Sequence, residues 1–350
     1  MKRRGDMDRK PTMHDVARMA DVGTMTVSRV LNRSPHVTKE TAERVYRAIE
    51  KLGYRPNEMA RALRGLKTRS IGVIVPYLYD PFFATCAHAV NTVAKEHGYS
   101  VILTTSNEDP EAEYNEAQLM LQRHVDGLLV IPADSRHSRL SRPEFDKTHI
   151  VTLDRPVQDG RFDSVLVQNQ SGARRAVEHL IAEHGHKRIV FVGLNKNLYT
   201  MRVRFEGYRK AMLEAGLHAE PAFGFSSQEA ASAIVESLLA EKNPPTAFFT
   251  SNNLTTRYLL HSLLEMGVHI PEEVAIVGFD DFELAEVLHP TLTVVRQPAA
   301  EVGRVAAGLL FERLSRDEFP NEGTKVTLPV ELVIRRSCGC KPRHTRRAHS

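Results

Sequence analysis

The sequence predicts a small all-α head followed by a body of doubly wound parallel α/β structure in two lobes. Three observations lead there. Between Thr12 and Gly53, apolar residues recur at helical spacing in three short stretches, with capping residues before them and a glycine after the last. From Ser70 onward, short β-branched runs alternate with helical stretches, the pattern of parallel sheets covered on both faces. Charge divides at the same place. Residues 1–70 hold 17 Lys+Arg against 8 Asp+Glu, a net of +9, while the whole chain is +4, leaving −5 on the remainder. A basic head on an acidic body points to a polyanionic partner for the head alone.

Each element follows from local pattern. Thr12, with Asp15 three positions on, starts the first helix, whose Val16, Ala17 and Ala20 share one face. Asp21-Val22-Gly23 makes a turn, and Val27, Val30 and Leu31 give the next helix its buried stripe. Thr38 caps a third helix with Ala42, Val45, Ile49 and Leu52 inward and Gly53 as its stop. Arg64–Arg69 reads as a linker. Strands are expected at Ile71–Val75, Val101–Thr104, Gly127–Ile131, Ile150–Leu153, Ile189–Val192, Ala247–Thr250 and Val274–Val277. Helices between them are expected at Phe82–His97, Glu111–His124, Gly172–His184, Arg202–Ala215, Gln228–Glu241, Thr255–Met266 and Pro298–Leu314. So many strands divide better between two subdomains than within one sheet.

At 350 residues the chain is long enough for a large core, and no apolar run reaches the length of a membrane span. Met1-Lys-Arg-Arg has no apolar segment behind it, so a secretory signal is not expected and the setting is expected to be a reducing cytoplasm. Three cysteines do not make a disulfide framework. Cys338-Gly-Cys340 could hold a metal or form a redox pair, but two thiols supply only half of a tetrahedral site, so no metal site is assigned. There is no GxGxxG after a strand, no P-loop and no Gly-x-Ser-x-Gly. The sixteen histidines are scattered without ligand spacing, and His184 and His186 flank a turn. An enzyme is therefore not expected, and no cofactor. The remote alternative is a nucleotide-dependent enzyme of α/β fold.

The head fits a helix-turn-helix, whose second helix lies in the major groove and offers its N-terminal residues to base edges. Here those residues are Thr24 and Met25, with Arg29 one turn beyond Met25. A bidentate Arg–guanine contact is worth about 1–3 kcal/mol of discrimination. The hydroxyls of Thr26 and Ser28 suit phosphate oxygens, which position the head without specifying sequence. Thr12, at the start of the first helix, completes the DNA-facing set of the helix pair.

The longer match resembles the lactose/galactose-repressor (LacI/GalR) family of bacterial transcription regulators. Its pieces in the head are Asp15-Val-Ala, Thr26-Val-Ser-Arg, Gly53-Tyr-Arg-Pro-Asn57 and Ala60-Arg-Ala-Leu63. The resemblance implies a hinge helix over the last piece, in which Asn57 and Ala60 face DNA and Leu63 wedges into the minor groove. Gly23 departs from it, standing where a small hydroxyl residue usually caps the recognition helix, a role Thr24 is expected to take over.

In the body the resemblance rests on Pro81-Phe-Phe83, Leu153-Asp-Arg-Pro156, Arg204-Phe-Glu-Gly-Tyr208, Ser251-Asn252, Val277-Gly-Phe-Asp-Asp281, His289-Pro-Thr-Leu-Thr and Arg296-Gln297. Most follow the carboxyl ends of strands, where open α/β sheets bind ligands. It implies a periplasmic-binding-protein-like body whose lobes close on a small molecule. Asp154, Arg204, Asn252 and Asp280 would be the hydrogen-bonding set, Phe82, Phe83 and Phe225 apolar walls, and Asp80 and Gln297 further contacts. Plainer readings stand beside these, with Asp80-Pro81 as a helix start, the Phe pair as core and Asp281 as a cap. Asp80 sits where Asn is common, Asn253 where Asp is common, and Gln168-Asn169 where an acidic-amide pair is usual.

The resulting expectation is a homodimeric regulator, a repressor of carbohydrate uptake or catabolism. It would bind near-palindromic operator DNA under control of a sugar-like effector, with no membrane partner. The alternative effector is a purine or phosphorylated metabolite acting as corepressor. The expected divisions are a head at 1–56, a hinge at 57–69, a body at 70–340 and a basic tail at 341–350. Within the body the N-lobe takes 70–166 and 297–325, and the C-lobe takes 167–296 and 326–340.

Overall fold

The computed structural model describes residues 11–31, 36–54, 67–158, 160–316, 319 and 322–341. The chain divides into two compact units between Thr68 and Arg69. In the head, α1 (Met13–Ala20), α2 (Thr24–Leu31) and α3 (Lys39–Leu52) enclose one core of Val16, Ala17, Ala20, Val27, Val30, Val45, Ala48 and Tyr54. The Asp15 carboxylate accepts from the Thr12 N–H at 2.9 Å and the Thr12 hydroxyl at 2.6 Å, closing the first turn of α1. Asp21 ends α1 in the left-handed region at φ 53°, a conformation Asp tolerates better than most residues. One expectation is corrected here. The carbonyl of Gly23 accepts the first bonds of α2, from the N–H of Thr26 and of Val27, so Gly23 holds the cap position and Thr24 is already helical. Asn57, Ala60 and Leu63 lie outside the described residues, as does the tail from 342 onward.

The body holds two six-stranded sheets of matching topology. The first runs β11-β5-β4-β3-β1-β2, all parallel, with β1 Ser70–Val75, β2 Ser100–Thr105, β3 Gly127–Val130, β4 His149–Leu153, β5 Asp163–Val167 and β11 Lys325–Leu328. The second runs β12-β10-β9-β8-β6-β7, with β6 Ile189–Gly193, β7 Glu220–Phe223, β8 Ala247–Thr250, β9 Ala275–Phe279, β10 Thr293–Arg296 and β12 Glu331–Val333. Only β12 is antiparallel to its neighbour among these described strands. The seven expected strands are present. Strands β5, β7, β10, β11 and β12 were not expected. Because β11 pairs with β5, residues 326–328 belong to the first lobe, and the crossing to the second falls after Leu328 rather than after residue 325.

Strand periodicity explains the layering. In the first sheet Ile71, Val73 and Val75 face α4 (Pro81–Glu96) and α10 (Ala299–Arg316), while Ile74, Leu128 and Val130 face α5 (Pro110–Gln122). In the second, Ile189 and Phe191 face α6 (Asn169–His184) and α7 (Tyr199–Glu214). Val190 and Val192 face α8 (Gln228–Leu239) and α9 (Asn253–Glu265). Helices α6 and α7 pack backbone to backbone, since a Cβ at Gly207 would lie 2.2 Å from the Gln170 carbonyl oxygen. No described helix is long and apolar enough to cross a membrane.

Candidate ligand cleft and DNA-reading face

The carboxyl ends of strands in both lobes open onto one cavity of about 700 Å³, within the usual range for small-molecule sites. Asp80, Phe82, Phe83 and Asp154 line it from the first lobe, Arg204, Asn252 and Asp280 from the second, and Gln297 from the crossing segment. Phe225 is the exception among the residues expected there. It is fully buried among Val190, Val192, Val235 and Phe248, in the core on the α8–α9 side of the second sheet, and is not part of the cavity wall.

Two aspartates occupy equivalent places in the two lobes. Asp154 follows β4 and Asp280 follows β9, and both adopt left-handed backbone at φ 62° and 78°. A non-glycine residue held there is strained, and such strain gathers at functional sites. Arg204 reaches across from α7. Its Nε donates to Asn169 Oδ1 at 2.7 Å, its Nη1 to the Ser251 carbonyl at 2.6 Å, and its guanidinium lies 3.8 Å over the Phe279 ring. Asp280 sits 3.8 Å from Arg204 Nη1 and accepts from Gln297 Nε2.

Across the cleft, Asn253 Nδ2 donates to Asp80 Oδ1 at 3.0 Å, joining the start of α9 to the start of α4. Asp80 also accepts from the Phe82 N–H at 2.9 Å, so the helix-start reading and the cleft reading are both true of it. The Asp80 carboxylate and the Asn253 amide are thus complementary, one accepting and the other donating.

Burial raises the carboxyls of Asp80, Asp154 and Asp280 above the ordinary range, and each is raised further by a neighbouring aspartate of the set. Burial likewise lowers Arg204, against the pull of Asp280 and Asp154. Asp154 Oδ1 and Gln297 Oε1 are buried without a hydrogen-bond partner among the described residues. Both are acceptors, so a molecule filling the cleft satisfies them by offering N–H or O–H donors.

Sequence reasoning missed part of this wall. Arg155 is buried and forms a two-pronged pair with Glu108, at 2.5 and 2.7 Å, and both line the cleft with Tyr77, Tyr79 and Tyr258. Arg155-Pro156 was visible as a motif, but its partner lies 47 residues away, beyond any local pattern. Asp281 proves structural. It accepts from the Phe282 N–H at 3.0 Å, from Arg296 at 2.8 Å and twice from Arg335 at 2.9 Å.

On the head, Met25 is 68% exposed and Arg29 is exposed, while Thr24, Thr26 and Ser28 are half-buried. The Thr12 hydroxyl is engaged with Asp15.

The fold also brings together side chains that sequence spacing kept apart. Cys338 and Cys340 do offer only two ligands, but the fold brings His179 and His184 of α6 to them, and all four ligand atoms lie within 4.8 Å of one another. The two pairs are more than 150 residues apart in sequence, so no spacing rule could have joined them.

Similarity to known proteins agrees with the geometry. The model of bacterial regulatory proteins of the lacI family matches residues 12–57, and that of a periplasmic binding protein-like domain matches residues 177–338. The HTH-type transcriptional repressor PurR of Haemophilus influenzae (strain PittEE) is 34% identical over 331 residues, which is 93% of this chain and 98% of that protein. A structure of the transcriptional regulator CelR with cellobiose is 30% identical, covering 93% of this chain and 99% of that one at a TM-score of 0.68. The lac repressor dimer bound to operator and the anti-inducer ONPF is 26% identical, covering 94% and 99% at a TM-score of 0.82. The family to which these proteins belong is regulatory rather than catalytic. With a helix-turn-helix head and a two-lobed ligand-cleft body, the chain belongs to the LacI/GalR family of bacterial helix-turn-helix transcriptional regulators.

Proposed function

We propose that this regulator is a homodimeric operator-binding repressor whose cleft takes a purine-class base. The observation that carries the reading is the cleft's unmet demand, two buried acceptors, Asp154 Oδ1 and Gln297 Oε1, beside the Phe82 and Phe83 rings. A planar base offers ring and exocyclic N–H donors to the acceptors, ring acceptors to Arg204 and a flat face to the phenylalanines. Likeness to a PurR repressor along nearly the whole chain supports the same choice over a sugar. Asp80, Asp154 and Asp280 converge on the cleft with Arg204, and this acidic balance disfavours a phosphorylated effector.

On this reading Thr24, Met25 and Arg29 read bases, Thr26 and Ser28 contact phosphates, and Leu63 is the minor-groove wedge of a hinge helix. Ligand that binds one lobe arrangement better than the other moves the operator affinity by that difference.

A carbohydrate effector is the second reading. The structure of CelR with cellobiose supports it, because the same acceptors suit sugar hydroxyls. Thermal-shift and calorimetric titration of the full chain with hypoxanthine, guanine, cellobiose and ribose separates the two. Saturable binding of a base, lost in Asp280→Ala, is expected. Binding of cellobiose or ribose without either base would move the assignment to the second reading.

A further inference from the structure

We infer that His179, His184, Cys338 and Cys340 form a tetrahedral zinc site that fastens the carboxyl-terminal segment to the second lobe. His179 lies in the last turns of α6 and His184 ends it, while the two cysteines sit on the turn that follows β12. Each ring presents the same atom inward. His179 Nε2 is 3.4 Å from Cys338 Sγ and 3.6 Å from Cys340 Sγ, and His184 Nε2 is 3.3 Å from Cys340 Sγ.

These separations match the ion. With Zn–S near 2.3 Å and Zn–N near 2.0–2.1 Å, the edges of a tetrahedron about zinc come to about 3.3–3.8 Å. Four protein ligands and no open position make a structural rather than a catalytic site. Two thiolates cancel the double positive charge, which suits a place where Cys338 is buried and Cys340 half-buried. An S₂N₂ donor set selects a soft or borderline ion over magnesium or calcium.

The surroundings hold the ligands in place. The Thr293 hydroxyl donates to Cys338 Sγ at 3.1 Å, a bond a thiolate accepts. Gly339, between the cysteines, sits at φ 98°, where a side chain is strained, and a Cβ there would press on His184 Nδ1 at 3.1 Å. Glycine therefore suits the turn where it passes over the ring.

The test uses the full chain purified under reducing conditions. Zinc is counted after release by a thiol-blocking mercurial, and Co²⁺ is titrated into metal-free protein as a spectroscopic probe. The expected result is one zinc per chain, with cobalt giving tetrahedral d–d bands and thiolate-to-cobalt charge transfer. Both should vanish in Cys338→Ser/Cys340→Ser. Loss of an outer-shell partner alone costs about 10–100-fold in metal affinity, and His184→Ala should lose more. A chelator should lower the thermal midpoint of the wild type and leave the double-serine variant unchanged. The wild-type titration stands even if a variant misfolds. Octahedral cobalt, zinc no higher than in the double-serine variant, or a Cys338–Cys340 disulfide in the reduced preparation would overturn the site.

Discussion

The cleft residues that could be read from sequence stand just past strand ends, where chain direction alone sends them toward a ligand. Asp154, Asn252 and Asp280 are of this kind, and Arg204 joins them because α7 begins beside the same edge. Phe225 follows β7 in the same way, yet its ring turns into the core, a choice made by packing that no motif encodes. The bond between Asp80 and Asn253 is testable as a pair. Asn253→Asp alone places a second buried carboxylate beside Asp80 and should cost about 1–3 kcal/mol, whereas adding Asp80→Asn should restore most of it. Urea unfolding of the two single variants and the double reads this directly, and strictly additive losses would count against the pairing. Glu113 makes a second point at this scale. Burial pushes its carboxyl up to about 7 although the Ala133 N–H donates to it at 2.6 Å. Between about pH 4.5 and 7 the unfolded chain releases this proton while the folded chain keeps it, so stability falls as pH rises through that window. Glu113→Gln keeps an acceptor for Ala133. It should be about 1–3 kcal/mol more stable than wild type at pH 8 and level with it near pH 4.5 in urea titrations.

At the scale of elements, long amphipathic helices and wholly apolar strands were legible, because each carries several residues of one period. The strands that escaped notice were short or polar at their ends. Lys325-Val-Thr-Leu328 and Glu331-Leu-Val333 are edge strands of four and three residues, too brief to show alternation. Asp163 opens β5 with a buried carboxylate. Its charge is met by Arg313 of α10 at 2.7 and 2.9 Å, and a strand starting on a charge makes sense only once that partner is known. Helix contact is equally specific. Gly207→Ala drives a methyl into the Gln170 carbonyl, so α6 and α7 must separate, and the expected loss is about 1–3 kcal/mol. A melting temperature unchanged from wild type would mean that the two helices do not pack this closely in solution.

For the whole molecule, the unequal charge of head and body was readable by counting, and it assigns the polyanion to the head. Operator affinity should accordingly fall steeply and log-linearly with salt as phosphate counterions are released. Effector binding to the cleft should change far less over the same range, which paired titrations between low and physiological salt would show. The two-lobed plan followed from the number of strands, but the bond between lobes, the Arg155–Glu108 pair and the His/Cys cluster all join residues far apart in sequence and could be seen only in the fold. On the proposed function, occupancy of the cleft sets the affinity of the head for DNA. Its most direct measurement is the fluorescence anisotropy of a selected operator duplex bound by the full chain, with and without saturating purine base, in wild type and Asp280→Ala. The expected result is an affinity change of about 5–150-fold in wild type and none in Asp280→Ala, whose DNA binding without ligand is retained. A base that binds the cleft saturably yet leaves the wild-type operator affinity unchanged would contradict it.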